Sequence, residues 1–319
     1  MKALKITSWI VVSALAITAC KKKTSDTPND SSPDPVALTN FFEANANSRT
    51  QHFSINASSG GIVTGAKGTQ VVVIGGMLKD ASGTTVTGMV DIQLIEVYDR
   101  ASMVLMNKPT VAILPNGDHA TLISKGEYYL KITQNNTVIN PNNGVIVRVP
   151  ANNMPGQENG MSLFDGITQN GNFLWDLVQD SIIPQQGDST FTNSYNILEG
   201  TWGWTNVDRF YNDPRPKTTL KVKLPNGFDN TNSEVYITYD GEPGALASLD
   251  TYTSDGCFSE HYGLIPIGLE IHIIAVTLIN GELNYAIQAA TVVNGQIETI
   301  NGFTPITQTQ LTALINALP

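Results

Sequence analysis

The chain has 319 residues, 41% of them hydrophobic and 14% charged, with a formal net charge of −10. That length exceeds one average domain, and the apolar content is ample for a sizeable core. The acidity belongs to the C-terminal half: residues 40–152 carry eight Lys or Arg against seven Asp or Glu, whereas residues 153–319 carry five against eighteen. Such a surface repels nucleic acid and anionic lipid, so no nucleic-acid partner is expected.

Lys2 and Lys5 precede an apolar stretch from Ile6 to Ile17 broken only by Thr7, Ser8 and Ser13. It has the length of a signal-peptide core and falls short of the roughly 20 apolar residues of a membrane span. Ile17-Thr18-Ala19-Cys20, followed by Lys21-Lys22-Lys23, resembles the lipobox of bacterial lipoproteins. The resemblance implies a cut before Cys20, a diacylated Cys20 side chain and a further acyl chain on the new amino terminus. Several acyl chains anchor stably where one binds only marginally, so the expected partner of Cys20 is a lipid bilayer. With Lys21 rather than Asp in the second mature position, the outer membrane is the expected destination, on its periplasmic or surface face. From Thr24 the chain is polar and Pro-rich, a composition that cannot bury a core, and residues 20–39 are expected to form a tether. Committing Cys20 to lipid leaves Cys257 alone beside Phe258. An intramolecular disulfide and any metal site built on paired cysteines are thereby excluded, and Cys257 is expected to be buried.

The body reads as short strands. Residues 69–74 form a β-branched run, residues 90–94 alternate with period two, and residues 126–133, 144–149, 218–224 and 234–239 repeat the style. Gly-, Asn- and Asp-rich turns separate them, among them Asn116-Gly117, Asn280-Gly281 and Asn294-Gly295. Residues 269–279 and 283–293 make a long hairpin through Asn280-Gly281-Glu282. One helix is predicted over residues 308–318, capped by Thr307, with Leu311, Leu314, Ile315 and Leu318 on one face and the end of a sandwich to cover. The fold class is therefore all-β: a signal peptide over 1–19, the lipidated tether over 20–39, a first β-sandwich over 40–152, a bridging segment over 153–196, and a second β-sandwich with a C-terminal helix over 197–319.

Four segments carry a resemblance to the β-sandwich module of ankyrins and netrin receptors, as it recurs in Bacteroidota surface proteins: Gly60-Gly61-Ile62-Val63-Thr64-Gly65, residues 68–74, residues 88–96, and Gly144-Val145-Ile146-Val147-Arg148-Val149-Pro150. The likeness covers about residues 53–151 and implies an interaction or spacer fold without catalysis. Gly75-Gly76-Met77 stands where relatives often have a Pro-rich loop. Further on, Trp202-Gly203-Trp204-Thr205-Asn206-Val207-Asp208-Arg209-Phe210 resembles a Trp-Ile-Asn-Cys-Asp-Arg-Phe-type signature of uncharacterised Bacteroidota lipoproteins, with Val207 in place of the frequent Cys. Trp202 and Trp204, two apart on a strand, share a face; they either stack a sugar ring or an apolar partner, or fill a core. Asn206, Asp208 and Arg209 complete this candidate binding cluster.

Catalytic chemistry has little support. His52, His119, His261 and His272 are scattered, with no second His or Cys at metal-ligand spacing. In Ser259-Glu260-His261 the carboxylate and imidazole are neighbours on a strand and point to opposite faces. Asp229, Asn230, Asn232 and Glu234 space oxygen ligands like part of a calcium loop, without the central Gly or the distant Glu of an EF-hand. No cofactor is expected. The sequence reads as a membrane-anchored extracytoplasmic lipoprotein, not an enzyme, acting as a binding or structural module that contacts an envelope protein or glycan. The alternative, a hydrolase acting on envelope glycan or peptide, requires Asp208, Glu260 or His261 to converge in one pocket.

Overall fold

The computed structural model describes residues 33, 35–155, 160–178 and 194–319. The expected signal peptide, the lipidated Cys20 and the expected domain boundary near residues 183–189 lie outside them. In chain order the elements are α1 (Pro35–Arg49), β1 (Gln51–Asn56), β2 (Gly60–Thr64), β3 (Gln70–Ile74), β4 (Met89–Val97), α2 (Arg100–Met106), β5 (Val111–Ile113), β6 (His119–Gln134), β7 (Thr137–Val138) and β8 (Val145–Pro150). There follow β9 (Ser162–Gln169), β10 (Asn172–Leu177), β11 (Ser194–Leu198), β12 (Gly203–Phe210), β13 (Lys217–Lys223), β14 (Ser233–Tyr239), β15 (Glu242–Ser248) and β16 (Thr251–Tyr252). The last are β17 (Phe258–Pro266), β18 (Glu270–Ile279), β19 (Glu282–Thr291), β20 (Gln296–Thr299), β21 (Thr304–Pro305) and α3 (Gln308–Asn316). The chain is mostly strand, as an all-β reading requires.

Strands β11-β8-β3-β2 form one sheet and β1-β4-β6-β12-β9-β10-β5 another, with β7 paired to β6. Val71, Val73, Val145, Val147 and Val149 of the first share a core with Ile92, Leu94, Leu130 and Ile132 of the second. The second sheet also curls on itself. Strand β5 pairs antiparallel with β6 and parallel with β10, which closes a ring through β6, β12, β9, β10 and β5. Ala112, Leu122, Phe164 and Trp175 fill its interior, and the Trp175 indole N–H donates to the Pro109 carbonyl at 2.9 Å.

The C-terminal strands make a sheet β16-β17-β13-β20 and a sheet β15-β14-β18-β19-β21. The second of these is buried on both faces. Along β18, Ile271, Ile273 and Ala275 enter the core shared with Leu220, Val222 and Phe258, while Ile274, Val276 and Leu278 enter the core of the N-terminal half. This explains why β14 and β18 read as continuous apolar runs rather than alternating ones.

The strands do not follow the expected boundary between two sandwiches. β12, expected in the second sandwich, lies between β6 and β9, because Thr205 and Asn206 find backbone partners on both. The expected bridging segment supplies β9, β10 and β11, and the described residues from 33 onward fall in one compact unit. Tyr236, Leu246, Ile274, Val276, Leu278 and Leu283 bury themselves in the N-terminal core. At about 1.5–3 kcal/mol per buried large apolar side chain, that sums to on the order of 10 kcal/mol, comparable to the stability of a whole domain. The seam is also hydrogen-bonded: Thr110 N–H donates to the Leu246 carbonyl and Leu246 N–H to Thr110 Oγ1, both at 2.8 Å.

Three helices cover this seam. The expected tether ends earlier than residue 39: Pro33 bridges Ile279 and Pro35 opens α1. Leu38 and Phe42, one turn apart, give α1 a buried side, and Pro at the first helical position suits its fixed φ. Helix α3 starts on the expected Thr307 cap, reinforced by Gln310 in a capping box. Leu311 and Ile315 are buried, but Leu314 is 42% exposed and lies off the expected face. Rather than ending a sandwich, α3 lies against α2: Ala101 N–H donates to Asn316 Oδ1 at 3.1 Å and Arg100 Nη2 to the Pro319 carbonyl at 2.8 Å. Cys257 is buried, as expected.

Candidate binding cavity

The site is built where α2 ends. Asp99 caps its first turn, accepting from Ser102 N–H at 2.8 Å, and Asn107 ends it in the left-handed region at φ 50°. There Asn107 N–H donates to the Val104 carbonyl at 3.2 Å and Lys108 N–H to the Met103 carbonyl at 2.8 Å. This tight closure of a helix end turns the chain abruptly and delivers Lys108 to the mouth of a cavity of about 420 Å³. Leu38, Phe42 and Glu43 of α1 form one wall, Phe173 and Trp204 another, and Asn230, Thr231 and Glu234 a third.

The Lys108 ammonium lies 3.9 Å from the centroid of the Phe173 ring and 5.1 Å from that of Trp204. The two rings meet edge to face at 6.2 Å, and Tyr129 packs on Trp204 at 5.6 Å. Gly166 makes this approach possible: a Cβ there would stand 2.6 Å from both Phe173 Cζ and Trp204 Cβ. Among the described residues no carboxylate comes within 4.0 Å of the ammonium. Burial therefore pushes Lys108 down to about 8, and the charge of Glu127 only partly opposes this. A cation on two aromatic faces gains about 1–2 kcal/mol, less than the solvation it gives up, so the ammonium retains capacity for an acceptor.

Glu234 faces Lys108 across the same space, with burial raising it to about 7. Asn107 joins the two sides: its Nδ2 donates to Glu234 Oε1 at 3.4 Å, and the Tyr236 hydroxyl donates to its Oδ1 at 2.8 Å. Among the described residues Lys108 is the sole cation lining the cavity, beside hydrogen-bonding Asn, Thr and Ser side chains.

Of the expected aromatic cluster, only Trp204 reaches this cavity. Trp202 precedes β12, and its indole N–H donates to the Ile139 carbonyl while the ring packs on the N-terminal core. The two indoles therefore make no shared platform. Asn206 and Asp208 are fully buried beneath the site, opposite Glu127 and Ser124 in the β12–β6 register. Asn206 Nδ2 donates to Asp208 Oδ2 at 2.6 Å, and Ser124 Oγ to Asn206 Oδ1 at 2.8 Å. Asp208 Oδ1 and both Glu127 oxygens have no hydrogen-bond partner among the described residues. Burial raises both carboxyls well above their ordinary range, Glu127 further because Asp208 is near, so each is held toward its neutral form. Arg209 points elsewhere, to Glu242 Oε1 at 3.4 Å.

The oxygen-rich turn contributes differently from expectation. Asp229 Oδ1 accepts from Thr231 N–H at 2.8 Å and Thr231 Oγ1 at 2.6 Å, and Asn232 Oδ1 accepts from Asp229 N–H at 3.1 Å. Those oxygens are engaged by their own turn, while Asn230 and Glu234 line the cavity. Among the described residues no group of three or more His, Cys, Asp or Glu side chains is placed to hold a metal. Asp208, Glu260 and His261 do not converge: Asp208 is buried on β12, Glu260 lines a separate cavity, and His261 is exposed.

Lys108, Asn107, Phe173 and Glu43 were not singled out from sequence. The one local signal was Asn107-Lys108 closing an apolar run after Asp99, a helix-end pattern. Fold and site together define an all-β chain with a single-cation, aromatic-walled cavity at the seam of its two halves. Compared with known proteins, the chain matches no family model, no curated protein and no solved structure.

Proposed function

We propose that the chain is a membrane-anchored extracytoplasmic lipoprotein, held in the outer membrane by acylated Cys20, and that it acts as a binding module rather than an enzyme. Its two pairs of packed sheets serve as β-sandwiches locked together by α1, α2 and α3. The ligand is an acidic saccharide, seated in the Lys108 cavity. The observation that carries this reading is the Lys108 ammonium, stacked on Phe173 and Trp204 yet without an ion-pair partner among the described residues. A sugar carboxylate supplies the missing acceptor, a sugar ring face suits the aromatic wall, and sugar hydroxyls suit Asn107, Asn230 and Thr231.

Two experiments test the two parts. Cell fractionation of Cys20→Ala should move the protein from membrane to soluble fraction; retention on the membrane would defeat the anchor. Titration of the full chain in detergent with tri-galacturonic acid should quench indole fluorescence saturably in the wild type and not in Trp204→Phe. An unchanged wild-type signal would defeat the ligand assignment.

A further inference from the structure

The β9–β10 hairpin has two faces, and each lines a cavity. Thr168, Gly171 and Phe173 face the Lys108 cavity, while Gln169, Asn170 and Asn172 face a second one of about 410 Å³. This is the side-to-side alternation of extended chain carried through a turn in which Asn170 (φ 52°) and Gly171 (φ 86°) are both left-handed. His119, at the start of β6, and Asp250, Tyr252 and Tyr262, from the C-terminal half, form the opposing wall.

That wall is held in place by hydrogen bonds. Asp250 Oδ2 is paired with His119 Nδ1, its Oδ1 accepts from Thr251 Oγ1 at 3.3 Å, and its carbonyl accepts from Asn172 Nδ2 at 3.2 Å. The pairing with Asp250 fixes the orientation of the imidazole ring. The Tyr262 ring packs on His119 at 4.7 Å and on His261 at 3.9 Å. Beyond His119, Asp250 and Tyr262 a recess of about 10 Å³, the room of about one water, leads to Glu260. Glu260 is 7% exposed, and its Oε2 has no hydrogen-bond partner among the described residues.

The lining selects a chemistry by what it contains. Among the described residues it holds no Lys or Arg, so it offers little to an anion, and Ile113 is the one aliphatic side chain larger than a methyl-bearing Thr, so it has little for a lipid. Amides, phenols, a hydroxyl and an oriented imidazole offer donors and acceptors in alternation, with ring faces beside them. We propose that this second cavity is a binding site for neutral saccharide units, distinct from the Lys108 cavity and backed by the same hairpin. Among the described residues it has no Lys or Arg to offset Asp250, which disfavours the acidic sugars assigned to the first.

Calorimetric titration of the full chain in detergent with maltotriose, cellotriose, xylotriose and triacetylchitotriose tests the site. At least one trisaccharide should give saturable heat, weakened about tenfold in Gln169→Ala, where an exposed side chain loses its hydrogen bond to the sugar. Tyr252→Phe should weaken it comparably with an unchanged melting temperature, and Lys108→Ala should leave it unchanged. The proposal is overturned if none of the four binds, if both cavity variants bind like wild type, or if Lys108→Ala removes the heat. Failure of tri-galacturonic acid to bind would instead defeat the acidic-sugar reading and leave this result standing.

Discussion

The Phe173 ring lies 3.9 Å from the Lys108 ammonium, although the turn after α2 that carries Lys108 is in no strand paired with the β9–β10 hairpin that carries Phe173. Their meeting depends on the ring of strands closing through β5, which starts just after Lys108 and pairs with β10 just after Phe173. A cation is thereby kept in a partly dry, aromatic site. On the proposed reading, the site holds affinity for an anion at the expense of stability.

Lys108→Met should therefore stabilise the protein near pH 7 while abolishing binding of acidic sugar. The folded-state value of about 8 lies below the ordinary 10.5, so the unfolded chain binds the proton more tightly. The ammonium thus costs folding on the order of 3 kcal/mol below pH 8, a cost relieved as pH rises from about 8 to 10.5. Chemical denaturation of wild type and variant at pH 7 measures the difference. A variant less stable than wild type would show that the ammonium is better compensated than its surroundings indicate.

Acid-sugar affinity should fall as pH rises through about 8, where Lys108 loses its proton. Glu127, which burial holds toward its neutral form, carries little charge to oppose that loss, so Glu127→Gln should leave the midpoint of the affinity profile where the wild type has it. A midpoint moved to lower pH in Glu127→Gln would show that the buried carboxyl is ionised.

The two tryptophans should part company. Trp202→Ala removes a core contact and the indole bond to Ile139, and should cost about 3 kcal/mol of stability with the acid-sugar affinity kept. Trp204→Ala should lose affinity by more than tenfold, since it removes a ring beneath Lys108 and a cavity wall. Thermal melts and titrations on both variants read the two effects separately.

Stability should decline between about pH 4.5 and 7. Burial raises Glu199, Glu234 and Glu260 to about 7 in the folded chain, against an ordinary 4.5. Folded protein then holds more protons than unfolded protein across that window, so the contribution is complete below about 4.5 and lost as pH rises through about 7. The lowered carboxyls, Asp99 and Asp213, titrate below the window. Melting temperatures at pH 5 and 7.5 decide the matter, and a higher value at 7.5 would contradict the assignment of these three groups as buried acids.

The seam should not tolerate Gly244→Ala. A Cβ at Gly244 would meet Ser124 O at 2.3 Å and Ser124 N at 2.9 Å, both backbone atoms of β6 that cannot swing aside. A loss of about 2–3 kcal/mol is expected, against little change for Gly200→Ala, where nothing lies within 4 Å.

The β18–β19 hairpin was legible from sequence because Asn280-Gly281 marks a turn between two apolar runs, although Glu282, expected in the connection, pairs with Ile279 as the first residue of β19. The start of α3 was legible because Thr307 and Gln310 are a capping pair. Helices α1 and α2 were not: the first mixes polar residues around Leu38 and Phe42, and the second is seven residues buried all round, without an amphipathic period. The segment of β12 was placed in the second sandwich, whereas it pairs with β6 and β9, since local pattern does not specify a strand's partners. For the same reason Trp204 and Glu234 could be singled out separately, while the cavity uniting them with Lys108 belongs to the tertiary fold.

The binding account is tested most directly by calorimetry of tri-galacturonic acid against wild type and Lys108→Met at pH 6.5, with folding of the variant checked by thermal melt. Saturable binding to the wild type and none to a folded Lys108→Met chain is the predicted result. Equal binding to both, or to neither, would contradict the account.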